Sequence, residues 1–147
     1  MGLIERLGTG PVALDTACFI YFIEEDPTFL PQVEPVFAAI AAGRIAAVTS
    51  ALTLLEVLVI PYRAGDMALA SRYEDILTRS AGLRTVDLDR SHLRAAAQLR
   101  AVHQGLRTPD ALQIATALGA RCTALLTNDR ALPAVAGLPV VQLSTDR

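Results

Sequence analysis

The sequence predicts an α/β domain in which helices cover both faces of a parallel sheet. Short, nearly continuous apolar runs alternate along the chain with longer segments that begin and end on helix-capping residues. The apolar runs lack the polar alternation of a sheet with one wet face, so both faces of the sheet are expected to be buried. A chain of 147 residues is long enough for one such domain, which is expected to span residues 1–147.

Five apolar runs are predicted to be the strands. They cover residues 12–14, 45–48, 83–88, 122–126 and 139–143. The segments between them are predicted to be helices, since their starts carry capping residues or prolines and several end at glycine. These helices cover 16–25, 35–42, a segment from Thr49 or Ser50 to 62–65, 67–80, a segment from Asp89 or Ser91 to His103, and a segment from Thr108 to 118 or 119. A short helix around Pro133 is expected before the last strand.

Composition excludes several classes of protein. The formal net charge is -2, so bulk charge does not indicate a basic nucleic-acid binder. All 13 basic residues are arginine, which excludes lysine-based catalysis. The longest apolar stretch, 45–60, is interrupted by Glu56 and is too short to span a membrane, and the first residues are not expected to form a secretory signal. Cys18 and Cys122 lie in apolar runs and are expected to be buried free thiols in a reducing cytoplasm.

Two of three candidate aspartates stand where a parallel sheet binds ligands, and all three also have a structural explanation. Asp15 follows the first strand and Asp129 follows the fourth, and ligands bind beyond the carboxyl ends of strands where strand order reverses. Alone, Asp15 could cap a helix, Asp110 could favour a helix dipole, and Asp129 could be a turn residue. The aspartates indicate a site only if the fold brings them into one crevice.

Glu56 has a weaker structural explanation, because it lies inside the apolar segment 54–60. A buried carboxylate needs a partner arginine, a polar cleft or a metal ion, and the functional interpretation is favoured over a plain ion pair. Four carboxylates in one cleft require a cation, and oxygen ligands select Mg²⁺ or Mn²⁺. The two histidines, His92 and His103, are not at zinc-binding spacing and are expected to face solvent.

Four segments, in this order, resemble the PIN domain family. They are residues 12–16 (VALDT), 50–56 (SALTLLE), 108–117 (TPDALQIATA) and 125–129 (LLTND). The resemblance covers nearly the whole chain and implies a three-layer α/β/α sandwich with a central parallel sheet, PIN-like and Rossmann-like. The length of the chain is similar to that of VapC-type toxins of toxin–antitoxin pairs.

The resemblance also implies an activity and its residues. It implies Mg²⁺- or Mn²⁺-dependent hydrolysis of RNA phosphodiester bonds, a homodimer, and an antitoxin partner whose extended tail blocks the cleft. The implied catalytic and metal-binding residues are Asp15, Glu56, Asp110 and Asp129, with Thr16, Thr127 and Asn128 in support. Two departures from the family pattern are Ala17-Cys18, expected to leave the acid unaffected, and Pro61, expected to bend the helix that carries Glu56.

Arginines near these segments are candidates for contact with RNA phosphates. They are Arg130, Arg107 and Arg63.

Rival functions lack necessary residues. A phosphoacceptor signalling domain needs a lysine, which this sequence lacks. A dinucleotide site needs its glycine motif after the first strand, whereas Gly8-Thr9-Gly10 precedes that strand. A dehalogenase-type phosphatase needs an acid at the position that Ala17 occupies. The remaining alternative is a non-catalytic PIN-like module that binds RNA or protein, against which the presence of all four acids argues.

Overall fold

Five short strands form one parallel sheet at the centre of the molecule. The computed structural model describes residues 2–144, and its strands are β1 (Val12–Leu14), β2 (Ala47–Ser50), β3 (Leu83–Val86), β4 (Ala124–Thr127) and β5 (Val140–Gln142). Their order across the sheet is β3-β2-β1-β4-β5, and every neighbouring pair is parallel. Strand order therefore reverses between β1 and β4, which opens a crevice at their carboxyl ends.

Helices cover both faces of this sheet, which confirms the predicted three-layer α/β/α sandwich. They are α1 (Leu3–Leu7), α2 (Thr16–Ile23), α3 (Leu30–Ala41), α4 (Ala51–Ala64), α5 (Met67–Arg79), α6 (Arg90–Val102) and α7 (Thr108–Gly119). Val12 and Leu14 of β1 belong to a core cluster with α2, α3 and α5, whereas Ala13 belongs to a second cluster with α6 and α7. One strand thus supplies both cores, because successive side chains point to opposite faces.

Several element boundaries differ from the prediction, and at β2 and β4 other backbone contacts compete for the residues. Helix α3 begins at Leu30, five residues before Pro35, because Pro31 occupies its first turn. Strand β2 begins at Ala47, since the amides of Arg44 and Ile45 donate to the carboxyl end of α3. Strand β4 begins at Ala124, after the Cys122 amide has closed α7 at Ala117. Strand β3 ends at Val86 and not at 88.

Three predictions about helices were wrong or incomplete. Helix α1 was not predicted, and the expected helix around Pro133 is replaced by turns with a single bridge between Val135 and Leu138. Pro133 within that segment lacks the amide proton that a residue inside a helix donates. Thr108 does not cap α7, because it is the first helical residue and its hydroxyl accepts a hydrogen bond from Arg100.

The expectation that the two cysteines are buried free thiols agrees with the structure. Cys18 and Cys122 are both buried and free. No helix within residues 2–144 combines the length and apolar character that crossing a membrane would require.

We predict that Gly82→Ala destabilises the protein more than Gly43→Ala. Both glycines have positive φ, +84° and +77°, so each substitution by alanine lowers the free energy of unfolding by about 1 to 2 kcal/mol. A Cβ added at Gly82 would also lie 2.7 Å from the Ile40 carbonyl oxygen, whereas a Cβ added at Gly43 would have none of the surrounding non-neighbouring atoms within 4 Å. Urea denaturation should therefore show an additional loss of about 1 kcal/mol or more for Gly82→Ala. Equal losses would contradict the contact with Ile40.

Candidate active site

Asp15 links the two strands that flank the crevice. It follows β1 directly, and its Oδ1 caps α2 by accepting from the Cys18 amide at 3.3 Å. Its Oδ2 accepts a hydrogen bond from the Thr127 hydroxyl at the end of β4. The capping role and a role in a site are therefore compatible, because one carboxylate oxygen serves the helix and the other faces β4.

Burial shapes the chemistry of Asp15 and of its neighbour Cys18. Burial raises the pKa of Asp15 above its ordinary value, and hydrogen bonds from Thr127 and Cys18 oppose that rise. Burial also raises the pKa of Cys18, so its thiol keeps the proton that it donates to Asp15 Oδ1 at 3.4 Å. Cys18 therefore contacts the acid, contrary to the expectation from sequence.

Glu56 lies on α4 and accepts a hydrogen bond of 2.6 Å from Thr16 Oγ1. The segment around it is not buried as expected: Glu56 itself is half-buried, and Leu55, Val59 and Ile60 are 62%, 37% and 72% exposed. Within residues 2–144, Glu56 belongs to none of the ion pairs, so a partner arginine does not explain it. Helix α4 continues through Pro61 to Ala64.

A buried hydrogen-bonded network leads from Glu56 into the protein. Thr16 donates its only hydroxyl proton to Glu56, so its oxygen is left to accept from neighbours. The amide of Gln113 lies 3.4 Å from Thr16 Oγ1 and 2.9 Å from Thr53 Oγ1. Thr53 Oγ1 lies 3.0 Å from the hydroxyl of Thr49, which donates to the last carbonyl of β1 at 2.8 Å. The Gln113 amide therefore contacts two hydroxyl groups, that of Thr16, which leads to Glu56, and that of Thr53, which leads through Thr49 to β1.

Gln113 and Thr53 were not singled out from the sequence, although a signal was present. Thr53 lies three residues before Glu56 on α4, and Gln113 lies three residues after Asp110 on α7, so each shares a helix face with a candidate acid. Both are also polar residues in buried positions. A buried polar side chain needs hydrogen-bond partners, and here those partners connect to the candidate site.

Asp110 and Asp129 lie on the two sides of the crevice. Asp110 is in the first turn of α7, where its Oδ2 is 3.3 Å from the Nε of Arg107. Asp129 follows β4, and its Oδ1 accepts from the Ala131 amide at 2.9 Å, as expected for a turn residue. The amide of Asp129 also donates to Thr127 Oγ1 at 3.0 Å. Thr127 therefore contacts both strand-end acids.

Two cavities meet at Asp110. The smaller, of about 90 Å³, is lined by three of the four predicted acids, Asp15, Glu56 and Asp110, together with Thr16 and Gln113. The larger, of about 730 Å³, is lined by Asp110 and Asp129 among others. The structure therefore brings three predicted acids to one cavity and places the fourth on the adjoining cavity.

The chemistry of this donor set fits a hard divalent cation. The side chains available to bind such an ion in the smaller cavity carry carboxylate oxygens. Mg²⁺ in proteins often uses only one or two carboxylates and keeps several waters. No three His, Cys, Asp or Glu side chains within residues 2–144 are close enough together to form a ready-made metal site. Asp15, Glu56 and Asp110 are each held by a separate partner, Thr127, Thr16 and Arg107, respectively.

The remaining polar candidates contribute in different ways. Asn128 donates to the Tyr21 hydroxyl at 2.9 Å and so fixes the loop after β4. Arg130 donates to the Leu143 carbonyl, and Arg63 lies exposed in the last turn of α4. Arg107 is the one of the three candidate arginines that lines a cavity next to the acids.

The histidines do not face solvent as expected. The His92 side chain is only 13% exposed and lies 3.0 Å from Asp89, whose side chain caps α6. His103 is half-buried and lines the larger cavity.

Comparison with known families identifies the class of protein. A family model described as the PIN domain matches residues 12–138, so the chain belongs to the PIN domain family. A search among curated proteins found no significant match.

Solved structures with the same fold come from toxin–antitoxin complexes. VapBC2 from Rickettsia felis, bound to a promoter DNA fragment, aligns with a TM-score of 0.71 and 16% identity over 90% of this chain and 98% of that chain. A toxin–antitoxin complex from Klebsiella pneumoniae gives 0.63 and 19%, over 86% and 94%. DNA-bound VapBC from Salmonella typhimurium gives 0.63 and 20%, over 90% and 98%. At these identities the similarity demonstrates a shared fold.

We predict that metal-free protein becomes less stable as the pH rises above about 4, owing to Asp15. The folded protein keeps the carboxyl proton of Asp15 to a higher pH than the unfolded chain does, because burial raises the pKa of Asp15 from 3.8. The contribution of Asp15 to stability is therefore fully present below its unfolded pKa and is lost as the pH rises through its folded pKa. Asp15→Asn cannot ionise, so its melting temperature relative to the parent should increase with pH. The exposed Asp75→Asn is the control, and a difference for Asp15→Asn that does not change with pH would contradict the prediction.

We also predict that Gln113 and Thr53 are energetically coupled. Gln113→Leu or Thr53→Val alone leaves a buried polar partner unsatisfied and should lower the free energy of unfolding by about 1 to 3 kcal/mol. The double variant should lose less than the sum, because both partners of one hydrogen bond are then apolar. Urea denaturation of the four proteins measures the coupling, with the exposed Gln98→Leu as control. Strictly additive losses would show that the network carries no cooperative energy.

Proposed function

We propose that this protein is a metal-dependent endoribonuclease, the toxin of a VapBC-type toxin–antitoxin pair. The observation that carries the proposal is the cavity lined by Asp15, Glu56 and Asp110 at the reversal of strand order in a PIN fold. PIN domains are generally nucleases, and the similar structures are toxin–antitoxin complexes. RNA as substrate and Mg²⁺ or Mn²⁺ as cofactor are parts of this proposal.

The four acids would hold the ion and order the reacting water. Asp15 offers an anchored carboxylate, since Thr127 and Cys18 fix its rotamer. Thr16 fixes one oxygen of Glu56, which leaves the other free to orient a water in the cavity. When bound, Mg²⁺ or Mn²⁺ lowers the pKa of a bound water and neutralises charge on the scissile phosphate. Asp129 completes the acidic site from the adjoining cavity.

Arg107 is suited to exchange partners when RNA arrives. Its guanidinium lies 3.3 Å from Asp110 and its side chain is 73% exposed, so it can turn towards a phosphate at little cost. Asp110 would then be released to serve the ion. The Arg107 guanidinium, which pairs with Asp110 in the free protein, would then contact a phosphate of the substrate.

A protein partner is supported by an exposed apolar face beside the site. Leu55, Val59 and Tyr62, which are spaced i, i+4 and i+7 on α4, are all more than a third exposed. Clustered exposed apolar side chains mark interaction surfaces. We propose that this face binds the protein partners, which are the antitoxin and a second copy of the chain in a homodimer. We also propose that the protein acts in the cytoplasm.

The proposal predicts that RNA cleavage needs Mg²⁺ or Mn²⁺ and Glu56. Glu56→Gln keeps size but removes the charge, so we expect the cleavage rate to fall roughly 100-fold or more. The metal-free melting temperature should not fall, because Glu56 belongs to none of the ion pairs within residues 2–144. Cleavage of a single-stranded RNA with and without chelator, together with thermal denaturation, measures both effects.

Glu74→Gln, an exposed change of the same kind on α5, is the matched control and should cut at the parent rate. Undiminished cleavage in excess chelator would reject the metal requirement. An unchanged rate for Glu56→Gln would remove Glu56 from the site. Binding of RNA by the parent without any cleavage would instead favour the non-catalytic module.

A further inference from the structure

Gln113 is a buried amide at the edge of the smaller cavity. It lies on α7, three residues after Asp110, and its side chain forms part of the cavity wall. Gln113 is only 9% exposed, and the nearby hydroxyls of Thr53 and Thr49 are buried as well. Bulk water therefore cannot replace the hydrogen bonds that the Gln113 amide donates to this network.

The direction of each proton in the hydroxyl network is fixed by the two ends of the network. A carboxylate and a backbone carbonyl only accept hydrogen bonds. The proton of Thr16 therefore goes to Glu56 at 2.6 Å, and that of Thr49 goes to the last carbonyl of β1 at 2.8 Å. Thr53 Oγ1 lies 3.2 Å from Thr16 Oγ1 and 3.0 Å from Thr49 Oγ1, so its proton also points towards one of these ends. Every hydroxyl proton thus points away from Gln113.

The Gln113 amide supplies the donor that this arrangement needs. Its Nε2 lies 2.9 Å from Thr53 Oγ1 and 3.4 Å from Thr16 Oγ1, and the protons of both hydroxyls are already used elsewhere. A carboxylate at position 113 would accept instead, so it would compete with Glu56 for the proton of Thr16. An amide at this position therefore favours donation from Thr16 to Glu56.

Thr16 in turn holds the Glu56 carboxylate in one orientation. Among residues 2–144, Thr16 is the one hydrogen-bond partner of this carboxylate, which is half-buried on α4. A glutamate side chain without such a partner keeps much of its rotamer freedom. We propose that Gln113 is a positioning residue that directs the Thr16 proton to Glu56 and so fixes this carboxylate at the cavity. The inference rests on the proposed ribonuclease function and adds a residue that acts on the reaction through Glu56.

Two substitutions of similar size separate hydrogen-bond donation from packing. Gln113→Met keeps the length of the side chain and removes the donor, and Gln113→Glu keeps its shape and replaces the donor by an acceptor. Gln98→Met, on the exposed face of α6, is the matched control. Cleavage of a single-stranded RNA with Mn²⁺ gives kcat and KM for each protein, alone and combined with Glu56→Ala. Thermal denaturation shows whether each variant folds.

We expect kcat of Gln113→Met and Gln113→Glu to fall roughly 10-fold with KM unchanged, because residues that orient a metal-site carboxylate typically contribute this much. Gln98→Met should cut at the parent rate. In the Glu56→Ala background neither change at Gln113 should lower kcat further, because no carboxylate is left to position. A parent-like kcat for Gln113→Glu, an effect on KM alone, or a further loss in the Glu56→Ala background would each overturn the inference.

The NMR signals of the Gln113 side-chain amide in metal-free protein test the same link without cleavage and without a change at Gln113. Glu56→Ala frees the proton of Thr16, so the signals of the Gln113 amide should shift although Thr16 lies between the two residues. Glu74→Ala, an exposed change on α5, should leave them in place. Gln113 signals that do not move in Glu56→Ala would overturn the inference. A parent that cuts no RNA would refute the proposed function, and the amide signals would still decide whether Gln113 is linked to Glu56.

Discussion

The parallel pairing of β1 with β4 is the constraint on which the candidate site depends. Three residues of each strand are in register, and the Asp15 amide continues the ladder to the Leu126 carbonyl at 3.2 Å. This register brings Thr127 level with Asp15, so that its hydroxyl donates to the carboxylate. Because strand order reverses at this pair, helix α2 after β1 and the turns after β4 lead away from each other and leave a crevice between them. The acids, the hydroxyl network and both cavities are arranged around this crevice.

Each acid of the smaller cavity is stabilised separately, which has a physical reason. Carboxylates that share a small space repel one another, and burial already raises the pKa of Asp15. Hydrogen bonds from Thr127 and Thr16 and the charge of Arg107 compensate three carboxylates without a metal ion. The folded state can therefore keep these acids in place before an ion binds. The proposed ion would replace part of this compensation, and Arg107 would become available to RNA.

The positions of the strands and their parallel pairing could be predicted from the sequence because they follow from local patterns. Continuous apolar runs predicted a parallel sheet, and Asp15 and Asp89 were candidates for helix starts that the structure confirms. The errors arose where local rules compete. Pro35 matched the rule for a helix start, yet Pro31 takes that position in α3. The apolar segment around Glu56 matched the rule for burial, yet Leu55 and Ile60 are exposed beside the site.

The sequence by itself determined the fold class and the identities of the four candidate acids, because periodicity, caps and strand ends are properties of neighbouring residues. Only the tertiary structure decided which partners those acids have. The contacts of Asp15 with Thr127 and of Thr16 with Gln113 join residues about a hundred positions apart. The division into a small acidic cavity and a larger one likewise depends on how α6, α7 and the loop after β4 meet. Such contacts depend on packing between distant segments, which local sequence patterns do not encode.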